Sequence, residues 1–91
     1  MSHKPYGEAS KAIEFVRTRI PEGSIYRHYK DPESRYRVDG YVIIEATDEV
    51  GIRYIGGNMG DIEMLRPAAE WLEAVGVEGE VQAISRFSEI D

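Results

Sequence analysis

Cysteine is absent from the sequence, and so is any long hydrophobic run. Without a thiol the chain has no disulfide framework, no thiolate zinc site and no thiol nucleophile. No apolar stretch approaches the ~20 residues that a membrane-spanning helix needs, so we expect no membrane partner. Histidine is scarce, and His3 and His28 are too few for a multi-histidine metal site. We therefore expect neither a metal ion nor another cofactor.

The remaining composition is that of a globular domain. The chain has 91 residues, of which 42% are hydrophobic and 31% charged. Chains of this length form one hydrophobic core rather than two, and the sequence shows no repeat, linker or low-complexity tract. We therefore expect residues 1–91 to be a single domain. The first four residues lack the apolar core of a signal peptide, which predicts a cytoplasmic protein.

The charge is divided unevenly along the chain. Its net value is −6, which disfavours broad contact with nucleic acid or anionic lipid. Residues 1–37 contain eight basic and five acidic residues, a balance of +3, whereas residues 38–91 contain three basic and twelve acidic residues, a balance of −9. Such a division marks either a binding face in the first part or an attraction between the two parts of the fold.

The first periodic segment predicts an amphipathic helix over residues 8–18. Apolar residues recur there at helical spacing, at Ala9, Ala12, Ile13 and Val16. Pro21 follows and is expected to end the helix. We expect residues 1–22 to be a helical extension packed on the rest of the domain, with a membrane-binding or partner-binding helix as the alternative.

From residue 24 onward the hydrophobic period changes to two, which predicts strands. Residues 24–30 and 35–45 are predicted to form a hairpin with a loop at 31–34, and Gly40 to mark a bulge or bend. Further elements are predicted as strands at 51–55, 62–66 and 80–87, a short helical turn at 67–73 and a hairpin turn at 76–79. The fold class is therefore mainly β with an added α-helix, and residues 23–91 are expected to form a small bent barrel of about five strands.

Five short motifs occur in a recognisable order. They are Tyr26-Arg27-His28-Tyr29-Lys30, Tyr36-Arg37-Val38, Leu65-Arg66-Pro67, Trp71-Leu72-Glu73 and Arg86-Phe87. In this order they resemble the Y-R-H-Y-K-G, W-V-R-P and R-F signature of a small bacterial domain family of unknown function. Asp31 stands where that family has glycine, and Met64 where it has tryptophan. The resemblance implies an SH3-like barrel and brings no established reaction.

Tyrosines and basic residues interleave between residues 26 and 54. Tyrosine rings on a sheet suit peptide recognition, and arginine forks bind carboxylates or phosphates. The candidate ligand-binding residues are Tyr26, Arg27, His28, Tyr29, Lys30, Arg35, Arg37 and Tyr54. We expect a non-enzymatic binding module that recognises a peptide or partner protein through this Tyr/Arg-rich face.

Two other functions remain open. The basic first part of the chain is compatible with binding of single-stranded nucleic acid or a nucleotide. A small hydrolase, or an accessory to one, would use His28 with an acid from Asp48, Asp61 or Glu63. The lysines and arginines around His28 disfavour an imidazolium there, so we predict that His28 is packed and hydrogen-bonded rather than catalytic.

Three further predictions concern one short segment, a tryptophan and two arginines. The glycine-rich segment 56–60 lacks the Gly-Lys-Ser/Thr ending of a phosphate loop, so we predict a turn between strands. Trp71 is predicted to be buried. Arg66 and Arg86, isolated bases in an acidic region, are predicted to make structural ion pairs or to cap backbone carbonyls.

Overall fold

A computed structural model describes residues 5–71, 74–75 and 84–90 of the chain. Two helices and seven strands lie within these ranges: α1 (Tyr6–Arg19), β1 (Ile25–His28), β2 (Asp31–Ile44), β3 (Glu49–Gly56), β4 (Met64–Pro67), α2 (Ala68–Trp71), β5 (Ala74–Val75), β6 (Ile84–Ser85) and β7 (Phe87–Glu89). A turn of 3-10 helix, Gly57–Met59, joins β3 to β4. The fold is mainly β, as predicted.

Five strands form one antiparallel sheet in the order β4-β3-β2-β1-β7, and β5 pairs with β6 in a separate ribbon. The 14-residue strand β2 is at the centre and pairs with β1 on one side and β3 on the other. Within the described ranges β4 and β7 are the edges and do not pair with each other. The predicted closure into a barrel is therefore not seen there, because the two edge strands pair only with their inner neighbours, β4 with β3 and β7 with β1.

The first hairpin is tighter than predicted. The segment 31–34, predicted to be a loop, belongs to β2, and the turn lies at Tyr29 and Lys30. His28 pairs with Asp31, and an irregularity in register separates this pair from the Tyr26–Tyr36 pair. Strand β2 therefore runs through the turn-forming residues of this segment, and the pairing of Asp31 with His28 fixes where it begins.

Other boundaries differ by small amounts. Helix α1 begins at Tyr6, so Gly7, which would suit a helix cap, lies inside it. Its end agrees with the position of Pro21, which has no amide hydrogen to continue the helix. The register shift between Val38 and Gly40 confirms the predicted bulge. The predicted turn at 76–79 and the start of the last predicted strand, 80–83, lie outside the described residues.

The core lies between α1 and one face of the sheet. Its buried members are Val16, Ile20, Tyr26, Val38, Val50, Ile52, Tyr54, Ala68, Trp71 and Phe87. Helix α1 contributes Val16 and Ile20, and the Tyr41 hydroxyl on β2 donates a hydrogen bond to the Ile20 carbonyl. The prediction that the helix packs on the sheet is confirmed, as is the burial of Trp71, which is 2% exposed. No helix among the described residues is long and apolar enough to span a membrane.

Candidate functional site

Strand alternation divides the Tyr/Arg cluster between the two faces of the sheet. Tyr26 pairs with Tyr36, and Tyr26 is buried in the core. Arg27, Arg35 and Arg37 occupy the alternate positions and are exposed on the other face. Because successive side chains of a strand point to opposite faces, residues interleaved in sequence are separated in space. The cluster is therefore not one surface.

A pocket of about 260 Å³ opens on the core side of the sheet, and we call it the Phe87 pocket. Its aromatic and basic lining consists of His28, Tyr36, Tyr54, Arg66 and Phe87. Residues 56–59 and Met64 complete it. The lining comes from β1, β2, β3, β4 and β7, so only the assembled sheet forms it.

His28 is held at the end of β1 by its neighbours. It pairs with Phe87 across β1 and β7, and the two ring centroids are 5.0 Å apart in an edge-to-face arrangement. The Lys30 amide donates a hydrogen bond of 3.1 Å to Nδ1. Since Nδ1 accepts this bond, the ring is in the neutral form with its proton on Nε2. The prediction of a packed, hydrogen-bonded His28 is confirmed.

Electrostatics reinforce the neutral form of His28. Burial lowers the pKa of the imidazole below its ordinary value, and the positive charges of Arg66, Arg86 and Lys30 lower it further. Among the described residues, the charge of Asp31 opposes this shift. The cations that act on His28 thus outnumber the anions, and the surroundings of the pocket are electropositive.

Arg66 enters the pocket because of its register on β4. It pairs with Ile52, a fully buried residue, which places both side chains on the core side of the sheet. The guanidinium carbon lies 5.4 Å from the centre of the Phe87 ring, and Nη1 donates to Glu70 Oε1 at 3.3 Å. The prediction of an ion pair for Arg66 is confirmed, whereas the prediction for Arg86 stays a prediction.

The glycine-rich turn after β3 forms the rim. Gly56 and Gly57 have φ values of 143° and 65°, in a region that favours glycine. A Cβ atom on Gly56 would overlap the Arg35 carbonyl oxygen, and one on Gly57 would lie 3.0 Å from the Tyr36 hydroxyl. The prediction of a turn between strands is confirmed, and its glycines let the turn lie close against β2.

The polar side chains around the pocket are donors. They are the His28 imidazole, the Tyr36 and Tyr54 phenols, the Asn58 amide and the Arg66 guanidinium. No carboxylate lies among the described lining residues. Glu63, one of the acids proposed beside His28, instead accepts a bond of 3.1 Å from Arg53. Asp48 belongs to the turn between β2 and β3, and Asp61 is exposed outside the lining. Such a pocket suits an anionic or acceptor-rich group.

The candidate residues therefore have different locations. His28 and Tyr54 line the Phe87 pocket, and Tyr26 lies in the core. The Tyr29 ring lies beside His28, with the Lys30 ammonium 5.8 Å from its centre.

The sequence analysis did not predict Arg66 and Phe87 as ligand-binding residues. Both stand in the motifs that carry the family resemblance, Leu65-Arg66-Pro67 and Arg86-Phe87. Those motifs were therefore the signal that could have found the pocket.

A second depression, of about 430 Å³, lies between the two helices and is lined mainly by apolar residues such as Ala12, Phe15 and Ala68. It has the larger volume, but Phe15 is the one aromatic ring among its described lining residues, and its polar side chains are the carboxylates of Asp48 and Glu49. Polar groups that converge in an apolar pocket fix a ligand's orientation. The Phe87 pocket is therefore the better candidate site. Within the described ranges no cluster of side chains has the makeup of a metal site.

One solved structure is similar to this chain. It is the crystal structure of a DUF1653 protein, a domain of unknown function, from Bordetella bronchiseptica. The identity is 27%, the TM-score is 0.60, and the match covers 76% of this chain and 86% of the other. No protein-family model matches the chain, and no curated protein matches it either. The structural neighbour is thus a small domain of unknown function.

Proposed function

We propose that this protein is a non-enzymatic binding module that takes an anchor residue of a peptide or partner protein into the Phe87 pocket. The observation that carries the proposal is the convergence of four aromatic side chains and one guanidinium on a single pocket. Buried aromatic and arginine groups of this kind dominate the binding energy at protein interfaces.

The size of the pocket supports an anchor residue over a cofactor. Pockets for drug-sized molecules and cofactors span about 300–1,000 Å³. The Phe87 pocket, at about 260 Å³, lies below that range. It has room for one side chain or chain end, with the rest of the partner lying across the rim at Asn58 and Met59.

The surroundings of His28 do not favour the hydrolase alternative. A catalytic imidazole is usually oriented by a carboxylate that accepts its Nδ1 proton. Here Nδ1 accepts a bond from the Lys30 amide, and the described lining contains neither a carboxylate nor an aliphatic hydroxyl group.

The proposal is tested by a nitrogen-15 NMR titration of the whole protein with a pool of short peptides in which the last residue is varied. We expect the amide signals of His28, Tyr36, Asn58 and Arg66 to shift. Tyr36→Ala should weaken binding at least about tenfold, because it removes one wall of the pocket. Tyr6→Ala is the matched control, since Tyr6 is exposed on α1. Shifts confined to other surfaces, or no shifts at all, would refute the proposal.

Binding of single-stranded nucleic acid is the second candidate, and the outer face of the hairpin favours it. Arg27, Arg35 and Arg37 are all exposed there, although Arg37 also pairs with Asp39 at 3.0 Å. Each phosphate contact with a single strand contributes about −0.7 to the slope of log affinity against log salt. Three arginine contacts therefore predict a slope of about −2 for an oligothymidine probe.

A charge-matched pair of variants makes this second test specific. Replacing Arg27, Arg35 and Arg37 with glutamine should abolish oligothymidine binding. Replacing Lys11, Arg17 and Arg19 of α1 with glutamine changes the net charge equally and should preserve it. Equal losses in both variants, or no binding by the wild type at low salt, would eliminate the candidate.

We also propose that the chain belongs to the family of its structural neighbour, closes into an SH3-like barrel and resides in the cytoplasm. The support is that His28, Arg66 and Phe87, from three separate motifs of the resemblance, line one pocket. A crystal structure of the whole chain tests the barrel. In a closed barrel, backbone hydrogen bonds connect β4 to β7, directly or through other strands. If the outer edges of both strands make no such bonds, the barrel proposal is wrong. Cell fractionation tests the location.

A further inference from the structure

The charges of the residues that line the Phe87 pocket limit the kind of ligand that it can bind. Arg66 is a cation of the lining, and its carboxylate partner is Glu70, whose side chain is half exposed. An arginine guanidinium has five N–H donors, so one bond at Nη1 leaves donors for a second acceptor. The described lining itself offers no anion.

The position of the guanidinium adds a geometric constraint. It lies over the Phe87 ring, and Phe87 is itself stacked on Trp71 at 3.8 Å between ring centroids. The Phe87 ring limits where the guanidinium can move, and a planar fork that is already placed loses less entropy for each hydrogen bond it forms. Tyr36 and Tyr54 provide an apolar wall whose ring centroids are 6.0 Å apart. A ligand that contacts both the Arg66 guanidinium and the tyrosine wall has a planar anion next to a small apolar group.

We infer that the Phe87 pocket recognises a monoanionic carboxylate attached to a small apolar group, with Arg66 as its bidentate partner. This inference rests on the proposed binding function and names the chemistry of the anchor. A carboxylate offers two oxygens in the plane that a guanidinium fork matches. His28 completes the site by presenting its Nε2 proton as a further donor.

The charge count favours a carboxylate over a phosphate group. A phosphate monoester carries nearly two negative charges at neutral pH and is usually held by several cations. The described lining has a single arginine, and the pKa of its imidazole is lowered, so the lining itself carries one positive charge. Within peptides, the carboxylate is either the chain end or an Asp or Glu side chain.

Matched small probes separate these sources by NMR titration. N-acetylleucine and N-acetylleucinamide differ only in the terminal carboxylate. N-acetylglutamic acid α-amide and N-acetylglutamine amide differ only in the side-chain carboxylate. We expect at least one of the acids to bind about tenfold more tightly than its amide, because one charge-assisted hydrogen-bonded pair contributes about this much to the affinity. The acid that binds more tightly shows whether the carboxylate belongs to a chain end or to a side chain. Phenyl phosphate is the probe for the other anion class.

Arg66 variants connect the effect to the pocket. In Arg66→Gln the acid should bind no more tightly than the amide, whereas Arg66→Lys should restore part of the difference through charge alone. Arg53→Gln is the control, because Arg53 makes a comparable ion pair with Glu63 elsewhere on the sheet. If Arg66→Gln does not fold, the acid and amide comparison on the wild type still decides the question.

The outcomes distinguish this inference from the function on which it rests. If acids and amides bind the pocket equally, or if phenyl phosphate binds more tightly than both acids, the inference is wrong and the binding function stands. If the peptide pool also leaves the pocket signals unchanged, the binding function fails with it. A tenfold preference for an acid that Arg53→Gln retains and Arg66→Gln loses supports both.

Discussion

Phe87 lies flat against Trp71, with ring centroids 3.8 Å apart and planes inclined by 6°. Phe87 therefore belongs to two parts of the molecule. Trp71 lies in the core, whereas His28 and Arg66, which also contact the Phe87 ring, line the pocket. Any change in the position of Phe87 should affect both stability and binding.

Replacing Phe87 tests its contribution to the core. We expect Phe87→Leu to lower the free energy of unfolding by about 1–2 kcal/mol, because it removes ring stacking and buried area. Urea denaturation measures this effect. Phe15→Leu is the control, since Phe15 is 57% exposed and its replacement should change stability by less than about 0.5 kcal/mol. Equal effects at the two positions would contradict the prediction.

Gly56 should tolerate no side chain. Its φ of 143° and the nearness of the Arg35 carbonyl make Gly56→Ala strained, and we expect a loss of about 1–3 kcal/mol in unfolding free energy. Gly7→Ala should instead stabilise by about 0.5–1 kcal/mol, because Gly7 lies in α1 with open space around it. Thermal melts of both variants check the opposite signs, and shifts in the same direction would count against the strain at Gly56.

The hydroxyl of Tyr41 connects α1 to the sheet. Tyr41→Phe removes its hydrogen bond to the Ile20 carbonyl, so we expect a loss of about 1 kcal/mol in unfolding free energy. Tyr6→Phe should have no effect, because Tyr6 is 87% exposed. Denaturant titrations of both variants provide the comparison. An unchanged Tyr41→Phe variant would mean that this bond does not hold the helix.

His28 should make stability depend on pH. The folded state lowers its pKa from 6.5, so the unfolded state takes up a proton first as the pH falls. At pH values above 6.5 both states are neutral at His28 and this contribution is fully present. The free energy of unfolding should fall as the pH drops through 6.5 and should stop falling below the lowered folded pKa.

Denaturation at several pH values measures this dependence. His28→Gln should fall less steeply across the same window, because glutamine does not titrate there. A wild-type stability that rises as the pH falls below 6.5, or a variant with the same slope as the wild type, would show that His28 does not carry the effect.

Local patterns predicted much of the architecture. The apolar spacing in residues 8–18 predicted α1, and the alternation after residue 24 predicted the central strands. These patterns work because each element must bury one face, whatever its partner is. The loop predicted at 31–34 was wrong because turn propensity is a local preference, and pairing of His28 with Asp31 outweighed it.

The candidate site was predicted only in part. His28 and Tyr54 were named and do line the pocket, but Arg27, Arg35 and Arg37 lie on the opposite face of the sheet. Adjacent residues in a strand point to opposite faces, and a prediction that groups residues by their closeness in sequence does not take this into account.

By itself, then, the sequence determined the first helix and the central strands and excluded thiol chemistry, because composition and periodicity are properties of the chain. Only the tertiary structure decided which side chains meet. His28, Arg66 and Phe87 are far apart in sequence, and antiparallel pairing of β1 with β7 and of β3 with β4 brings them to one pocket. The register of those pairs, which depends on the packing of the whole sheet, determines the chemistry that the pocket presents.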